Sequence, residues 1–176
     1  MFGTHFYHAT TRKAVALFGT IFNNISVIRQ DGSGNVLNQI KVPLAYGPKQ
    51  KFLSRLDSIT GQDATMAIKL PRMGFEITSM DIDSTQKLAK RNQIVENHAT
   101  DSTKKKTIKQ AVAYNINMSL FAMAKNQDDG LQIMEQILPY FQPEYTVTIN
   151  PVTGFDYKQD VPIILNAVTI QDDYEG

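Results

Sequence analysis

The chain contains no cysteine, which removes disulfide staples, thiolate metal sites and a cysteine nucleophile together. It also lacks an excess of either charge. The 18 basic and 17 acidic side chains leave a formal +1, so no whole-molecule field draws it to phosphate backbones. No stretch approaches the roughly 18 apolar residues that a membrane span requires, and the opening residues lack the basic flank and apolar core of a secretory signal. A soluble protein indifferent to redox compartment is the expectation. Internal repeats, low-complexity tracts, a Gly-x-Ser-x-Gly elbow and a His-Glu-x-x-His signature are missing as well, so nucleophilic and zinc hydrolysis have no anchor and neither enzymatic activity nor a cofactor is expected.

What is present is ordinary globular composition, 42% hydrophobic and 20% charged over 176 residues, enough for a single domain spanning 1–176 with its own core. Thr10 and Thr11 offer N-cap hydroxyls to a helix over 11–23, where Ala14, Leu17, Phe18, Ile21 and Phe22 recur at helical spacing. Ile25 to Arg29 and Val36 to Val42 read as strands joined by the turn cluster Asp31-Gly32-Ser33-Gly34-Asn35. Pro48 suits the first turn of a short helix presenting Phe52, Leu53 and Leu56.

Beyond it, 58–64 reads as irregular or briefly helical. Met66 to Leu70 and Gly74 to Ile82 read as extended, interrupted by Pro71. Residues 84–103 are polar and fit a helix or a protruding loop, of which an extended excursion is favoured, bounded at 84–106 with the lysines that follow. Val112 to Ala122 alternates apolar and polar residues, the pattern of a strand with one buried and one wet face. Asn126 and the pair Asp128 and Asp129 open a helix whose stripe is Leu131, Met134, Ile137, Leu138 and Phe141, closed by Pro139 and Pro143. Tyr145 to Ile149 and Val161 to Ile170 are the last strands, with a turn at 151–154. The order predicts an α+β fold, an antiparallel sheet with helices packed on one side.

Candidate chemistry is sparse. His5 and His8 stand three apart, and Asp81 and Asp83 could add carboxylates, but no pattern ties a third ligand to the histidines, and a metal needs number and geometry together. Gly32-Ser33-Gly34 resembles part of a phosphate loop, yet a strand rather than a helix follows, which favours a hairpin turn. Glu135 beside the helix stripe reads as a surface carboxylate, since nothing suggests a partner that would make it a base. Two readings of Lys104, Lys105, Lys106 and Lys109 stand open. They contact an acidic partner, protein before DNA, or they form a solvated strand edge that discourages unwanted pairing. In the first case a nucleic-acid-binding module is the alternative function. Tyr140, Phe141 and Tyr145 read as core or interface anchors.

Several stretches together resemble the tail sheath stabilizer and completion family (tail terminators) of large contractile-tailed bacteriophages. These are Met1-Phe2-Gly3 with Phe6-Tyr7, Phe22 and Asn24-Ile25 through Arg29-Gln30, Lys41-Val42-Pro43-Leu44-Ala45-Tyr46, and above all the run from Gln132 to Pro143. Members of that family are expected to be longer, continuing past Gly176. The resemblance implies a tail-terminator-like fold and a non-enzymatic virion protein, assembled in the host cytoplasm. Such a protein caps the tail tube and sheath as a homo-hexameric ring, steadies the extended sheath and offers the docking surface for the neck of the head. Its implied partners are other copies of itself, the sheath protein, the tube protein and a head-completion protein, with DNA passing through the lumen without specific binding and no membrane involved. On that reading Phe2, Phe6, Tyr7, Lys104, Lys105, Lys106, Tyr140 and Phe141 are candidate interface residues.

Overall fold

The computed structural model describes residues 5, 7–57, 69–86, 89, 91–97, 103–109, 111–152 and 158–171, with backbone only at 56 and 57. The chain is α+β and divides into two compact units. One comprises Met1–Leu44, Leu70–Arg72 and Ala122–Gly176, the other Ala45–Lys69 and Met73–Phe121. Among the described residues the strands form four small sheets rather than one large one.

In the first unit, helix α1 runs Thr10–Ile21. The expected threonine cap is absent. Ala9 stands at the N-cap in a left-handed conformation (φ 55°) with no side-chain cap bond, and its carbonyl accepts the first helical bond from Lys13 N at 2.9 Å. Thr10 is therefore already helical and its hydroxyl cannot cap. Of the apolar stripe only Phe22, just past the helix, is buried; Ala14, Leu17, Phe18 and Ile21 are half-buried.

Strands β1 (Ser26–Gln30) and β2 (Val36–Lys41) form the expected antiparallel hairpin, with Val27 opposite Ile40 and Ile28 opposite Gln39. Its turn is closed by Asp31 N donating to Asn35 O (2.9 Å) and Gly34 N donating to Asp31 O (2.8 Å). Gly34 takes a φ of +82°, which a residue without Cβ adopts at least cost. The Gly-Ser-Gly motif is thus turn chemistry.

Helix α3 (Gln127–Ile137) begins at Asn126 as expected, although the Asn126 side chain makes no cap bond. Met134, Ile137, Leu138 and Phe141 of the predicted stripe are half-buried. Asp129 and Ile133 are the buried positions, while Leu131 is exposed. Val27, Val42 and Ile133 are almost wholly sequestered, each contributing on the order of 1.5–3 kcal/mol through burial. A 3-10 turn over Leu138–Tyr140 ends the helix at Pro139, and β8 (Glu144–Ile149) then pairs antiparallel with β9 (Gln159–Ile164). The last strand is shorter than the predicted 161–170. Its end, Ile164, lies opposite Glu144, and beyond Glu144 comes Pro143, which has no N–H to extend the ladder. The turn expected at 151–154 lies partly outside the described residues.

The second unit holds most of a three-stranded sheet in the order β3 (Leu44–Tyr46), β4 (Arg72–Ile82), β7 (Tyr114–Met123), with α2 (Lys49–Asp57) following Pro48. On β7 the predicted alternation survives at Ile116, half-buried between exposed Asn115 and Asn117, while Met118 to Phe121 are half-buried throughout, and on β4 burial comes in a block. Met73, Gly74 and Phe75 are all buried, whereas β4 from Thr78 onward is exposed. The reason is at Gly74, where a Cβ would lie 2.6 Å from the Phe121 ring and 3.3 Å from that of Phe52. Phe121 therefore covers β4 at Gly74 and meets Phe52 edge-on at 5.4 Å. The side chain of Leu56, predicted on the same face, and the segment 58–68 lie outside the described residues.

Between β4 and β7 in sequence, the polar excursion contains a hairpin of β5 (Gln93–Asn97) and β6 (Lys105–Lys109), antiparallel with Ile94 opposite Ile108. No described helix is long and apolar enough to cross a membrane.

Candidate partner-binding surfaces

A sheet of two strands has two open edges, and each presents unpaired backbone groups. In the β1–β2 sheet, residues 25, 27 and 29 face β2, as Val42 N donating to Ile25 O (2.9 Å) makes plain. Ser26 and Ile28 point the other way. Ile28 N donates to Gln132 Oε1 (3.0 Å) and Gln132 Nε2 donates back to Ile28 O (3.1 Å). One helical turn on, Ser26 N donates to Gln136 Oε1 (3.3 Å) and Gln136 Nε2 donates to Ser26 O (2.8 Å).

A primary amide carries the donor and acceptor of a peptide group, so two glutamines four apart on one helix face take the place of a third strand. Their remaining N–H groups are also used, Gln132 on Asp128 (2.8 Å) and Gln136 on the Gln132 carbonyl (2.9 Å). Arg29 completes the seam with a 3.1 Å ion pair to Asp129, whose side chain is only 4% exposed. This pairing gives the buried Asp129 carboxylate its partner. The sequence signal was the Gln132-x-x-x-Gln136 spacing, within the run that carried the family resemblance.

The candidate aromatic residues fall into two groups. Phe141 belongs to a chain of rings in the first unit: Phe18 to Phe22 at 4.9 Å, Phe22 to Phe141 stacked at 6.3 Å, Phe141 to Tyr145 at 6.4 Å and Tyr145 to Tyr140 at 6.4 Å. Phe141 is half-buried inside that chain, while Tyr140 at its end is 68% exposed. Tyr7 is likewise 67% exposed. Phe2 and Phe6 lie outside the described residues.

Lys104, Lys105, Lys106 and Lys109 are all exposed, three of them on β6 and Lys104 just before it. Lys105 and Lys109 share one face with Gln93, Val95, Asn97 and Thr107, which is exposed throughout; Ile94 and Ile108 are half-buried on the other. The hairpin belongs to the second unit, and Tyr7, Tyr140 and Phe141 to the first.

The residues weighed for catalysis are dispersed into local bonding. Asp81 accepts from Ser79 Oγ (3.1 Å) and Asn117 Nδ2 (3.0 Å). Asp83 accepts from the Thr85 hydroxyl (2.6 Å) and Thr85 N (3.0 Å), and these bonds hold its carboxyl below the ordinary aspartate value. His5 and His8 are exposed, and among the described residues no three His, Asp or Glu side chains gather where they could hold a metal. Glu135 is exposed at the rim of a shallow groove beside Asn24, Gln39 and Gln136.

The profile of the T4-like virus Myoviridae tail sheath stabiliser family matches residues 5–176, nearly the whole chain. The chain belongs to that family. It is 31% identical, over 183 aligned positions, to the tail completion protein gp15 of Enterobacteria phage T4, an alignment that takes in 100% of this chain. The chain spans 65% of the length of that curated relative, in line with the expectation of longer members. Tail sheath stabilisers are structural components of contractile phage tails, not enzymes. The run from Gln132 to Pro143, which carried much of the resemblance, thus holds the two glutamines on the β1 edge and two rings of the aromatic chain.

Proposed function

We propose that the chain caps the tail tube and sheath as a homo-hexameric ring, holds the last layer of the extended sheath and presents the surface to which the neck of the head docks. The family match over residues 5–176 carries this reading. Among the described residues, exposed large apolar side chains outnumber buried ones by 17 to 8. That imbalance suits a subunit that completes its burial against neighbours.

A ring arises when one heterologous contact repeats about an axis and the rotation closes. A hexamer then meets a sixfold sheath with identical bonds acting together, so effective concentration converts modest pairwise affinity into a firm lock. The whole chain 1–176 acts as one tail-terminator-like domain in this reading. Tyr7, Tyr140 and the lysines of the β5–β6 hairpin are its contact residues, with Phe2 and Phe6 as further anchors at the N-terminal end. DNA crosses the lumen without a specific site, as a near-neutral subunit allows. The reading is tested by electron microscopy of the purified chain, alone and mixed with extended sheath. Sixfold rings with a central hole that decorate sheath ends are expected; monomers without affinity for sheath would contradict it.

A further inference from the structure

The formal +1 of the whole chain hides a segregation of charge. Residues 84–109 carry seven basic and two acidic side chains, net +5, whereas residues 110–176 carry two basic and nine acidic ones, net −7. The structure gathers part of each excess on an exposed hairpin face. On β6, Lys105 and Lys109 point to the same exposed face, four residues or about 13 Å apart at the usual strand rise. On β8–β9 the exposed face carries the cross-strand pairs Glu144 with Ile164, Thr146 with Pro162 and Thr148 with Asp160. Its two carboxylates, Glu144 and Asp160, are therefore also four register positions apart, about 13 Å along the strands and one strand spacing across.

We infer that the lysine face of the β5–β6 hairpin docks on the Glu144 and Asp160 face of the β8–β9 hairpin in a second copy of this chain. The inference rests on the ring reading and supplies its contact. The two basic and two acidic groups match in spacing, and the positions between them, Val95 and Thr107 on one side and Thr146 and Pro162 on the other, are uncharged. Asp160 uses Oδ1 to accept from the Thr148 hydroxyl (2.6 Å), so its second oxygen is available to a lysine. The surfaces joined are different patches of the same chain. Such a contact is heterologous and builds rings rather than twofold dimers. Because both faces are solvated, the attraction is screened by salt and acts most strongly on encounter and register.

The test measures the midpoint of self-association by mass photometry and sedimentation at low and high salt. Wild type is compared with Lys105→Glu/Lys109→Glu, with Glu144→Lys/Asp160→Lys, and with the chain carrying all four changes. Each two-site variant should shift the midpoint at least tenfold toward monomer with an unchanged thermal melt, and the four-site variant should recover most of the loss. A wild-type ring whose midpoint ignores Lys105→Glu/Lys109→Glu leaves the ring reading standing and overturns this contact. A wild type that stays monomeric overturns both. Loss of affinity for a 30-base-pair DNA duplex in Lys105→Glu/Lys109→Glu, with oligomer mass unchanged, assigns the hairpin to nucleic acid and also overturns it.

Discussion

The side-chain amide of Gln132 pairs with the backbone of Ile28 through both its oxygen and its nitrogen, at 3.0 and 3.1 Å, as a neighbouring strand would. Gln136 repeats the arrangement at Ser26. The edge of β1 is thereby closed to foreign strands, while among the described residues no α3 side chain bonds in this way to the edge of β2, where Val36 and Leu37 are exposed.

Replacing both glutamines tests this seam. Gln132→Ala/Gln136→Ala should lower stability by about 1–3 kcal/mol, since each amide contributes roughly the net value of one or two hydrogen bonds. Gln132→Glu should be worse than Gln132→Ala at pH 7, because a carboxylate cannot donate to the Ile28 carbonyl and faces Asp128, from which Gln132 now differs by carrying a donor. Thermal melts at pH 7 and pH 4 check the sign: the Glu variant should recover part of its deficit on acidification, and equal deficits at both values would contradict the strand-mimic account.

At the other end of the seam, Arg29→Ala leaves the Asp129 carboxylate buried without its cation. A loss on the order of 1–3 kcal/mol is expected, below the range for a fully buried pair because the Arg29 side chain is 46% exposed. Asp129→Leu in the Arg29→Ala background should restore much of it. Additive losses in the double variant, read from urea denaturation, would show that the two residues act independently.

Gly74→Ala places a methyl 2.6 Å from the Phe121 ring. The ring is held edge-on by Phe52, so it cannot swing away freely, and overpacking of about 1–3 kcal/mol follows. Phe121→Leu should relieve the alanine variant while destabilising the wild type, a reversal of sign that a double-mutant cycle measures directly.

Asp83, half-buried just past the end of β4, offers a pH test. The Thr85 hydroxyl and then the Thr85 amide favour its charged form. A depressed folded value means that the associated stabilisation is complete above the unfolded aspartate range and is lost as pH falls through the folded value. Thr85→Ala should move the Asp83 titration, followed by NMR, upward toward an ordinary aspartate; no movement would remove the hydroxyl as the cause.

Where local chemistry decides, the sequence was readable. The Asp31 to Asn35 turn fixed the β1–β2 hairpin, Pro48 the start of α2, and Asn126 with Pro139 the limits of α3. What escaped depended on partners far along the chain. The burial of Asp129 on α3 goes with Arg29, one hundred residues before it. The double-sided burial of β4 follows from Phe121 lying over Gly74. The β5–β6 hairpin was hidden because its residues are polar, and only the cross-strand pairing of Ile94 with Ile108 gives it an apolar side. Of the candidate contact residues on this stretch, Phe141 is half-buried within the aromatic chain and Tyr140 beside it is exposed.

The claim that this chain closes the head-proximal end of a contractile tail is tested most directly by cryo-electron microscopy of intact virions carrying it. Six copies in a ring between the last sheath layer and the neck are predicted, with the β5–β6 hairpin of each copy against the β8–β9 hairpin of the next. Density at that junction accounted for without this polypeptide would contradict the account.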